Sequence, residues 1–185
     1  MIFDGLPNQK FEVILADFPW SYYGQQDKWG AASKFYNTVS DDDIKSFPLK
    51  DLMSEKSVVF LWATSPRLDF CINLIQHWGL YYRGVSFVWV KTSKDGKPFG
   101  ARGVRPSIVK PTCEFVLAAS NVKSGRPLKL HDESIVNTIF APLGEHSEKP
   151  SEVHKRIELM YPSNSKIELF ARKKVDGWTC WGNEL

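Results

Sequence analysis

Four consecutive residues near the N-terminus combine a carboxylate, a proline and a large aromatic side chain. Asp17, Phe18, Pro19 and Trp20 follow an apolar run at residues 11–16, which is typical of a buried strand. In open α/β sheets, ligands bind at the C-terminal ends of the strands. A carboxylate there can accept hydrogen bonds from an amine, and an indole can stack on a flat ring. The four residues therefore suit a planar, amine-bearing base, although Asp-x-Pro after a strand is also common as a plain turn.

A second group of polar residues lies in the C-terminal third of the chain. Residues 146–150 read His-Ser-Glu-Lys-Pro, Arg172 follows an apolar strand pattern, and the tail is polar and aromatic. No glycine pattern of a dinucleotide site or a P-loop follows any predicted strand, so these two chemistries have no support. The three cysteines are widely spaced and match neither a disulfide framework nor a zinc site. We expect no metal.

Two long segments separate the predicted strands and helices. Residues 21–39 contain five aromatic side chains, among them Tyr22, and residues 92–110 contain five basic ones, among them Arg102 and Arg105. Loops of this length in compact domains are often binding loops. Basic side chains among glycines suit the phosphates of a nucleic acid, whereas the plain alternative is a solvated surface loop. We treat both segments as candidate substrate-binding loops.

The elements that must position these residues alternate between strands and helices. Apolar runs predict strands at residues 11–17, 57–64, 85–90, 112–119, 135–140 and 166–171. Cap residues and helical spacing predict a short helix that begins near Ser40, a second between Pro66 and Gly79, and a third at residues 150–160. This alternation predicts a three-layer α/β fold with a mostly parallel sheet.

The composition bounds the class of protein. A chain of 185 residues has the length of one domain, and we predict a single domain at 1–185. The net charge is only +3, so contact with nucleic acid must come from a local patch. No apolar stretch is long enough to span a membrane, and no secretory signal is visible. We expect a cytoplasmic protein with no membrane partner.

Motifs in a fixed order run along nearly the whole chain. Residues 16–20 read Ala-Asp-Phe-Pro-Trp, and an apolar strand at 59–64 precedes Pro66 and Leu68. Further motifs are Trp78-Gly79-Leu80, Trp89-Val90-Lys91, His146-Ser147 with Lys149-Pro150, Ile157-Glu158, residues 166–172, Gly177-Trp178 and Trp181-Gly182-Asn183-Glu184. In order and spacing they resemble the MT-A70 family of S-adenosylmethionine-dependent adenine-N6 methyltransferases, whose first motif reads Ala-Asp-Pro-Pro-Trp.

The resemblance implies a Rossmann-like methyltransferase fold in permuted order, with the catalytic strand early and the cofactor strand late. It implies catalytic roles at the target base for Asp17, Phe18, Pro19 and Trp20. It implies contacts to S-adenosylmethionine from Asp17, Lys149, Arg172, Asn183, Glu184 and His146. For Lys149 and Arg172 the alternative interpretation is ordinary surface charge. For His146 the alternative interpretation is capping of the next helix. We expect substrate contacts at Tyr22, Lys91, Arg102 and Arg105.

One residue departs from the family pattern, because Phe18 replaces the first proline of the motif. Its main-chain carbonyl, which the resemblance assigns to the adenine amine, is kept, but a rigid ring is lost. The resemblance implies methyl transfer to adenine N6 in nucleic acid, with DNA favoured over RNA. Two alternatives stay open: a catalytically weak or inactive binding subunit of the same fold, and an enzyme that acts on cytosine N4. The oligomeric state is not predicted.

Overall fold

The computed structural model describes residues 3–20, 39–99, 108–144, 148–183 and 185. In these residues seven strands form one sheet in the order β5-β3-β4-β2-β1-β6-β7. Neighbouring strands are parallel except β4, which runs antiparallel to both β2 and β3. The strands are β1 (Phe11–Ala16), β2 (Met53–Thr64), β3 (Tyr81–Thr92), β4 (Cys113–Ser120), β5 (Thr138–Pro142), β6 (Lys166–Leu169) and β7 (Thr179–Trp181).

The helices of the described residues are α1 (Asp41–Ser46), α2 (Leu68–His77) and α3 (Glu152–Met160), with 3-10 turns at Leu49–Leu52 and Ser65–Arg67. Ser40 caps α1, because its hydroxyl oxygen accepts a hydrogen bond from the Asp43 N–H at 3.1 Å. Beyond the end of α2, Gly79 has a φ of +66°, in the left-handed region that favours glycine. Local sequence signals therefore mark these two helix ends.

Both faces of the sheet are covered, which makes three layers. Ile14 and Ala16 of β1 belong to the core cluster that also holds buried residues of α1 and α2. Val13 and Leu15 belong to the cluster on the other face, which holds buried residues of α3. Since successive side chains of a strand alternate between faces, a strand covered on both sides reads as a continuous apolar run.

The predicted α/β fold with a mostly parallel sheet and permuted order is confirmed. β1 lies between β2 and β6, so the early and late strands of the chain are neighbours. The strand predicted at 135–140 lies at Thr138–Pro142, and β2 and β3 are longer than predicted. β7 has three residues, which is too short to produce a periodic pattern.

The reversed direction of β4 determines which of its residues reach the ligand edge of the sheet. Cys113 and Glu114, at the start of β4, pair with Val90 and Trp89 near the end of β3. Glu114 also lies opposite Thr64, the last residue of β2. The beginning of β4 therefore lies at the edge where the parallel strands end.

No helix in the described part of the chain is long and apolar enough to cross a membrane.

Candidate active site

Asp17 follows directly after β1, at the C-terminal edge of the sheet. Its N–H donates to the Leu169 carbonyl oxygen at 3.4 Å, which joins the ends of β1 and β6. The side chain of Asp17 is 24% exposed, so it is sheltered but can still be reached by a ligand. The carboxylate lies where ligands of open α/β sheets bind.

Four alternating charges, which we name the charged row, extend from Asp17 across this edge. The Lys149 Nζ lies 2.8 Å from the Asp17 Oδ2 and 3.5 Å from the Glu114 Oε2. The Lys91 Nζ lies 2.6 Å from the Glu114 Oε1. The row thus runs Lys91, Glu114, Lys149, Asp17, from the end of β3 through the start of β4 and the segment before α3 to the end of β1. Two ammonium groups balance two carboxylates in a largely buried place.

Two buried tryptophans line the row. The Lys149 Nζ lies 5.3 Å from the centre of the Trp62 ring, and the Lys91 Nζ lies 5.2 Å from that of Trp89. At these distances an ammonium is attracted to the face of an indole. The Trp89 Nε1–H donates to the Ala141 carbonyl oxygen at 2.9 Å, which fixes the position of that ring. The aromatic walls therefore help to hold both lysines in the row.

The two carboxylates of the row have opposite shifts in pKa. Burial acts to raise the pKa of Glu114, but the ammonium groups of Lys149 and Lys91 outweigh it and hold the pKa below its usual range. Burial raises the pKa of Asp17 against the lowering influence of Lys149, and the charge of Glu114 raises it further. The directions differ because, among the described residues, Glu114 contacts two ammonium groups, whereas Asp17 contacts one.

Residues 17–20, which we name the Asp17 turn, hold the other predicted catalytic residues. The Phe18 carbonyl oxygen accepts the Trp20 N–H at 2.9 Å, and the Pro19 carbonyl oxygen accepts the Val39 N–H at 2.9 Å. The Trp20 side chain is buried in the core and lies nearly parallel to the Phe18 ring, with the ring centres 6.4 Å apart. Stacking of Trp20 on a base stays a prediction.

Residues 170–172, which we name the Phe170 turn, follow β6 beside the Asp17 turn. Phe170 has a φ of +60°, in the left-handed region that a side chain other than glycine rarely adopts. The Ala171 N–H donates to the Trp181 carbonyl oxygen at 2.9 Å, and a Cβ at Gly182 would collide with the Ala171 backbone. Arg172 lies near enough for its charge to lower the pKa of Asp17.

The structure brings together three of the predicted site residues, Asp17, Lys91 and Lys149, and places Arg172 nearby. Asn183 is exposed beyond β7. The predicted residues Tyr22, Arg102, Arg105, His146 and Glu184 lie outside the described residues.

Sequence reasoning missed Glu114, which contacts both lysines of the row. The available signal was a single carboxylate inside an otherwise apolar strand, because acidic residues are almost never fully buried unless they are paired.

Comparison with known proteins gives the family. The chain matches the MT-A70 family over residues 11–184. It belongs to the MT-A70 family. It is 31% identical to the Type II methyltransferase M.MunI of Mycoplasma sp, over all of this chain and 82% of that protein.

Two further relatives are much longer than this chain. It is 28% identical to the N(6)-adenosine-methyltransferase MT-A70-like protein of Drosophila melanogaster and 29% identical to the N(6)-adenosine-methyltransferase catalytic subunit METTL3 of Homo sapiens. Both alignments cover 95% of this chain but only 27% and 28% of those proteins.

Membership of the MT-A70 family makes the chain an S-adenosylmethionine-dependent adenine methyltransferase, which confirms the predicted enzyme class and cofactor.

The described residues fit the charges of S-adenosylmethionine. The amino-acid end of that cofactor carries an ammonium and a carboxylate. The site offers the Asp17 carboxylate and the Lys149 ammonium within 2.8 Å of each other, with the charge of Arg172 nearby. Thr64, at the end of β2, has a buried Oγ1 with no hydrogen-bond partner among the described residues, which a ligand group could satisfy. The MT-A70 site therefore has the donor and acceptor set that a zwitterionic ligand requires.

Proposed function

We propose that this enzyme transfers the methyl group of S-adenosylmethionine to the N6 amine of adenine in DNA, and that Asp17 is its central catalytic residue. The observation that carries the proposal is the Asp17 carboxylate, which lies at the strand end on the ligand edge and is held by Lys149 at 2.8 Å. The Asp-x-Pro-Trp sequence of residues 17–20 supports the same role.

The chemical problem is that an adenine amine is a poor nucleophile, because its lone pair is delocalised into the ring. S-adenosylmethionine supplies the methyl group in electrophilic form. Lys149 contacts the Asp17 Oδ2, and we assign the other oxygen, Oδ1, to one N–H of the amine. We assign the second N–H to the Phe18 carbonyl oxygen. This oxygen has two lone pairs, and one of them accepts the hydrogen bond from the Trp20 N–H.

Two acceptors on one amine draw its nitrogen towards a tetrahedral, nucleophilic geometry. The negative charge of Asp17 stabilises the positive charge that develops on the nitrogen as it gains the methyl group and before it releases a proton to solvent. Holding the amine in this orientation supplies much of the acceleration.

Lys149 has a second role in the proposal. Its ammonium is shared between Asp17 and Glu114, at 2.8 and 3.5 Å, so Asp17 is not fully neutralised by a single partner. Lys149 and Arg172 are the cations that we assign to the cofactor carboxylate. Lys91, paired with Glu114 at 2.6 Å, is assigned to the substrate side of the row.

The relative that aligns with this chain over most of its own length supports the choice of DNA over RNA in this proposal. The alignment to the Type II methyltransferase covers all of this chain and most of that relative, whereas the N(6)-adenosine-methyltransferases are covered over little more than a quarter. Within a duplex, the adenine must leave the stack at a cost of a few kcal/mol. We assign phosphate contacts to Arg102 and Arg105 and a contact to the substrate to Tyr22.

The test is one assay with isotope-labelled S-adenosylmethionine and matched DNA and RNA, each single- and double-stranded, followed by digestion and mass spectrometry of the nucleosides. We expect N6-methyladenine from DNA. Detection of N4-methylcytosine in place of N6-methyladenine would make cytosine the target base. Methylation of RNA alone would overturn the choice of DNA. Cofactor binding without any methylated nucleoside would support the inactive-subunit alternative.

The role of Asp17 is tested by Asp17→Asn, with Asp42→Asn as the matched control. Asp42 is also paired with a lysine, but its side chain is 92% exposed on α1. The amide of the Asp17 variant presents a donor and no charge to the amine, so we expect its kcat to fall by about 10²–10³-fold, by analogy with the loss of a transition-state contact. The control should keep wild-type kcat. Substantial turnover in a folded Asp17→Asn protein would remove Asp17 from the mechanism.

A further inference from the structure

The ring of Phe18 belongs to an aromatic cluster made of Phe3, Phe18, Phe47, Trp78, Phe170 and Trp181. The side chain is 2% exposed. Its centre lies 4.5 Å from that of Phe170, 5.3 Å from Phe47 and 5.5 Å from Trp78. These three neighbours follow β6, α1 and α2 respectively, so the ring is held by three separate parts of the fold.

The shortest of these contacts joins the Asp17 turn to the Phe170 turn. Phe170 has a φ of +60°, and a non-glycine residue keeps such a backbone only where its surroundings hold it there. Its ring also packs against Trp181 at 5.1 Å and Phe47 at 5.7 Å. The rings of the cluster therefore support the unusual backbone at Phe170 and the Phe18 side chain together.

We propose that the Phe18 side chain is a positioning residue, whose packing against Phe170 sets the backbone of the Asp17 turn and couples it to the Phe170 turn. The proposal rests on the proposed function, in which the Phe18 carbonyl oxygen receives the substrate amine. It adds a role for the side chain, which the motif by itself does not contain.

The physical reason lies in the residue that Phe18 replaces. A proline at this position would fix its own φ through its ring. A phenylalanine leaves φ free, so the direction of its carbonyl depends on where packing holds the side chain. Because that carbonyl also accepts the Trp20 N–H at 2.9 Å, a shift of Phe18 would disturb the rest of the turn.

The first test compares Phe18→Leu with Phe60→Leu. Phe60 is equally buried, at 1% exposure, but it packs against Phe87 and Tyr161 on the opposite face of the sheet. We expect Phe18→Leu to lower kcat about tenfold or more, because small displacements of a positioned acceptor cost large factors in rate. It should also raise the Kd for S-adenosylmethionine several-fold. Phe60→Leu should keep both constants within twofold, although both variants lose some thermal stability.

If Phe18→Leu does not fold, Phe18→Met serves in its place, since methionine keeps more of the volume and fills irregular gaps. We expect kcat to fall and the Kd for S-adenosylmethionine to rise, as in Phe18→Leu, but by smaller factors. Near-UV circular dichroism on each variant checks that the aromatic packing of the fold is kept.

A double-mutant cycle with Phe170→Leu measures the coupling itself. Residues in contact show non-additive effects, whereas independent sites add. We expect Phe170→Leu to raise the Kd for S-adenosylmethionine, and the double variant to bind about as weakly as the weaker single variant. If the fold-increase in Kd of the double variant equals the product of the two single fold-increases, the two turns are independent.

The result that overturns the proposal is a Phe18→Leu protein whose kcat and Kd match those of Phe60→Leu. Calorimetry with S-adenosylmethionine alone separates this failure from failure of the proposed function. A wild type that methylates no adenine refutes the proposed function, while a raised Kd in Phe18→Leu still supports the coupling of the two turns. If the Kd of Phe18→Leu is unchanged while the wild type methylates adenine normally, only the coupling of the two turns is refuted.

Discussion

Glu114 is the residue that links the two lysines of the charged row, and Glu114→Gln removes its charge while keeping its size. The wild-type row has two ammonium groups against two carboxylates, so the variant leaves two ammonium groups against one. The 2.6 Å contact to Lys91 becomes an ordinary hydrogen bond at best, and the 3.5 Å contact to Lys149 loses its charge. Lys91, whose side chain is 12% exposed, then has no carboxylate partner among the described residues of the row.

The size of the effect follows from the burial of these groups. Breaking a buried ion pair by removing one partner costs about 3–5 kcal/mol. The lower end applies here, because glutamine can still accept one hydrogen bond and the Lys91 side chain keeps 12% of its surface exposed to water. We expect a loss of about 3 kcal/mol in the free energy of unfolding. With a slope of about 2–3 kcal/mol per molar urea, the unfolding midpoint should fall by about 1–1.5 M.

The assay is urea unfolding followed by circular dichroism, with Glu133→Gln as the control. Glu133 is also ion-paired, with Arg126 at 2.5 Å, but both side chains are more than half exposed. Since water screens such a pair, the control should unfold at the wild-type midpoint. Equal midpoints for Glu114→Gln and Glu133→Gln would refute the view that the row is a buried, balanced network.

The same variant carries a pH signature with a definite sign. The pKa of Glu114 is lower in the folded protein than its ordinary value of 4.5, because Lys149 and Lys91 outweigh its burial. Its contribution is therefore fully present above pH 4.5 and is lost as the pH falls through the lowered value. The stability difference between wild type and Glu114→Gln should be constant near neutrality and shrink in acid. A difference that grows in acid would contradict the sign of the shift.

Three further outcomes are expected. The kcat/KM of the wild type should fall on acidification at a pH above the ordinary carboxyl value of 3.8, because burial raises the pKa of Asp17 in the free enzyme and catalysis needs its anion; an acid limb of kcat/KM below that value would contradict this. Calorimetry on Lys149→Met should give a Kd for S-adenosylmethionine raised about 10–100-fold, the equivalent of a charge-assisted hydrogen bond, whereas the exposed Lys45→Met should bind normally. Arg67→Met should lower Tm by about 6–12 °C, because the Arg67 side chain is 1% exposed and pairs with Asp41 at 2.5 Å; the lower end of the cost of a broken buried pair applies, since Asp41 is 35% exposed, and a Tm within 2 °C of the Lys45→Met control would contradict it.

Several features were accessible from the order of residues because their causes are local. A strand buried on both faces must be apolar throughout, so residues 11–16 could be recognised as the strand that delivers Asp17. Ser40 could be recognised as a helix cap, because its hydroxyl satisfies an N–H only three residues away.

The sequence by itself determined the layered α/β fold, the position of Asp17 at a strand end and the family of the enzyme. Only the tertiary structure decided which charges meet. Glu114 reaches Lys149 because β4 runs antiparallel, which brings its first residues to the edge where β1 ends. The direction of a strand depends on pairing between residues far apart in the chain, and local periodicity carries no record of it. In the same way the Phe18 motif position was visible, but the contact with Phe170 exists only because β1 and β6 are neighbours in the folded sheet.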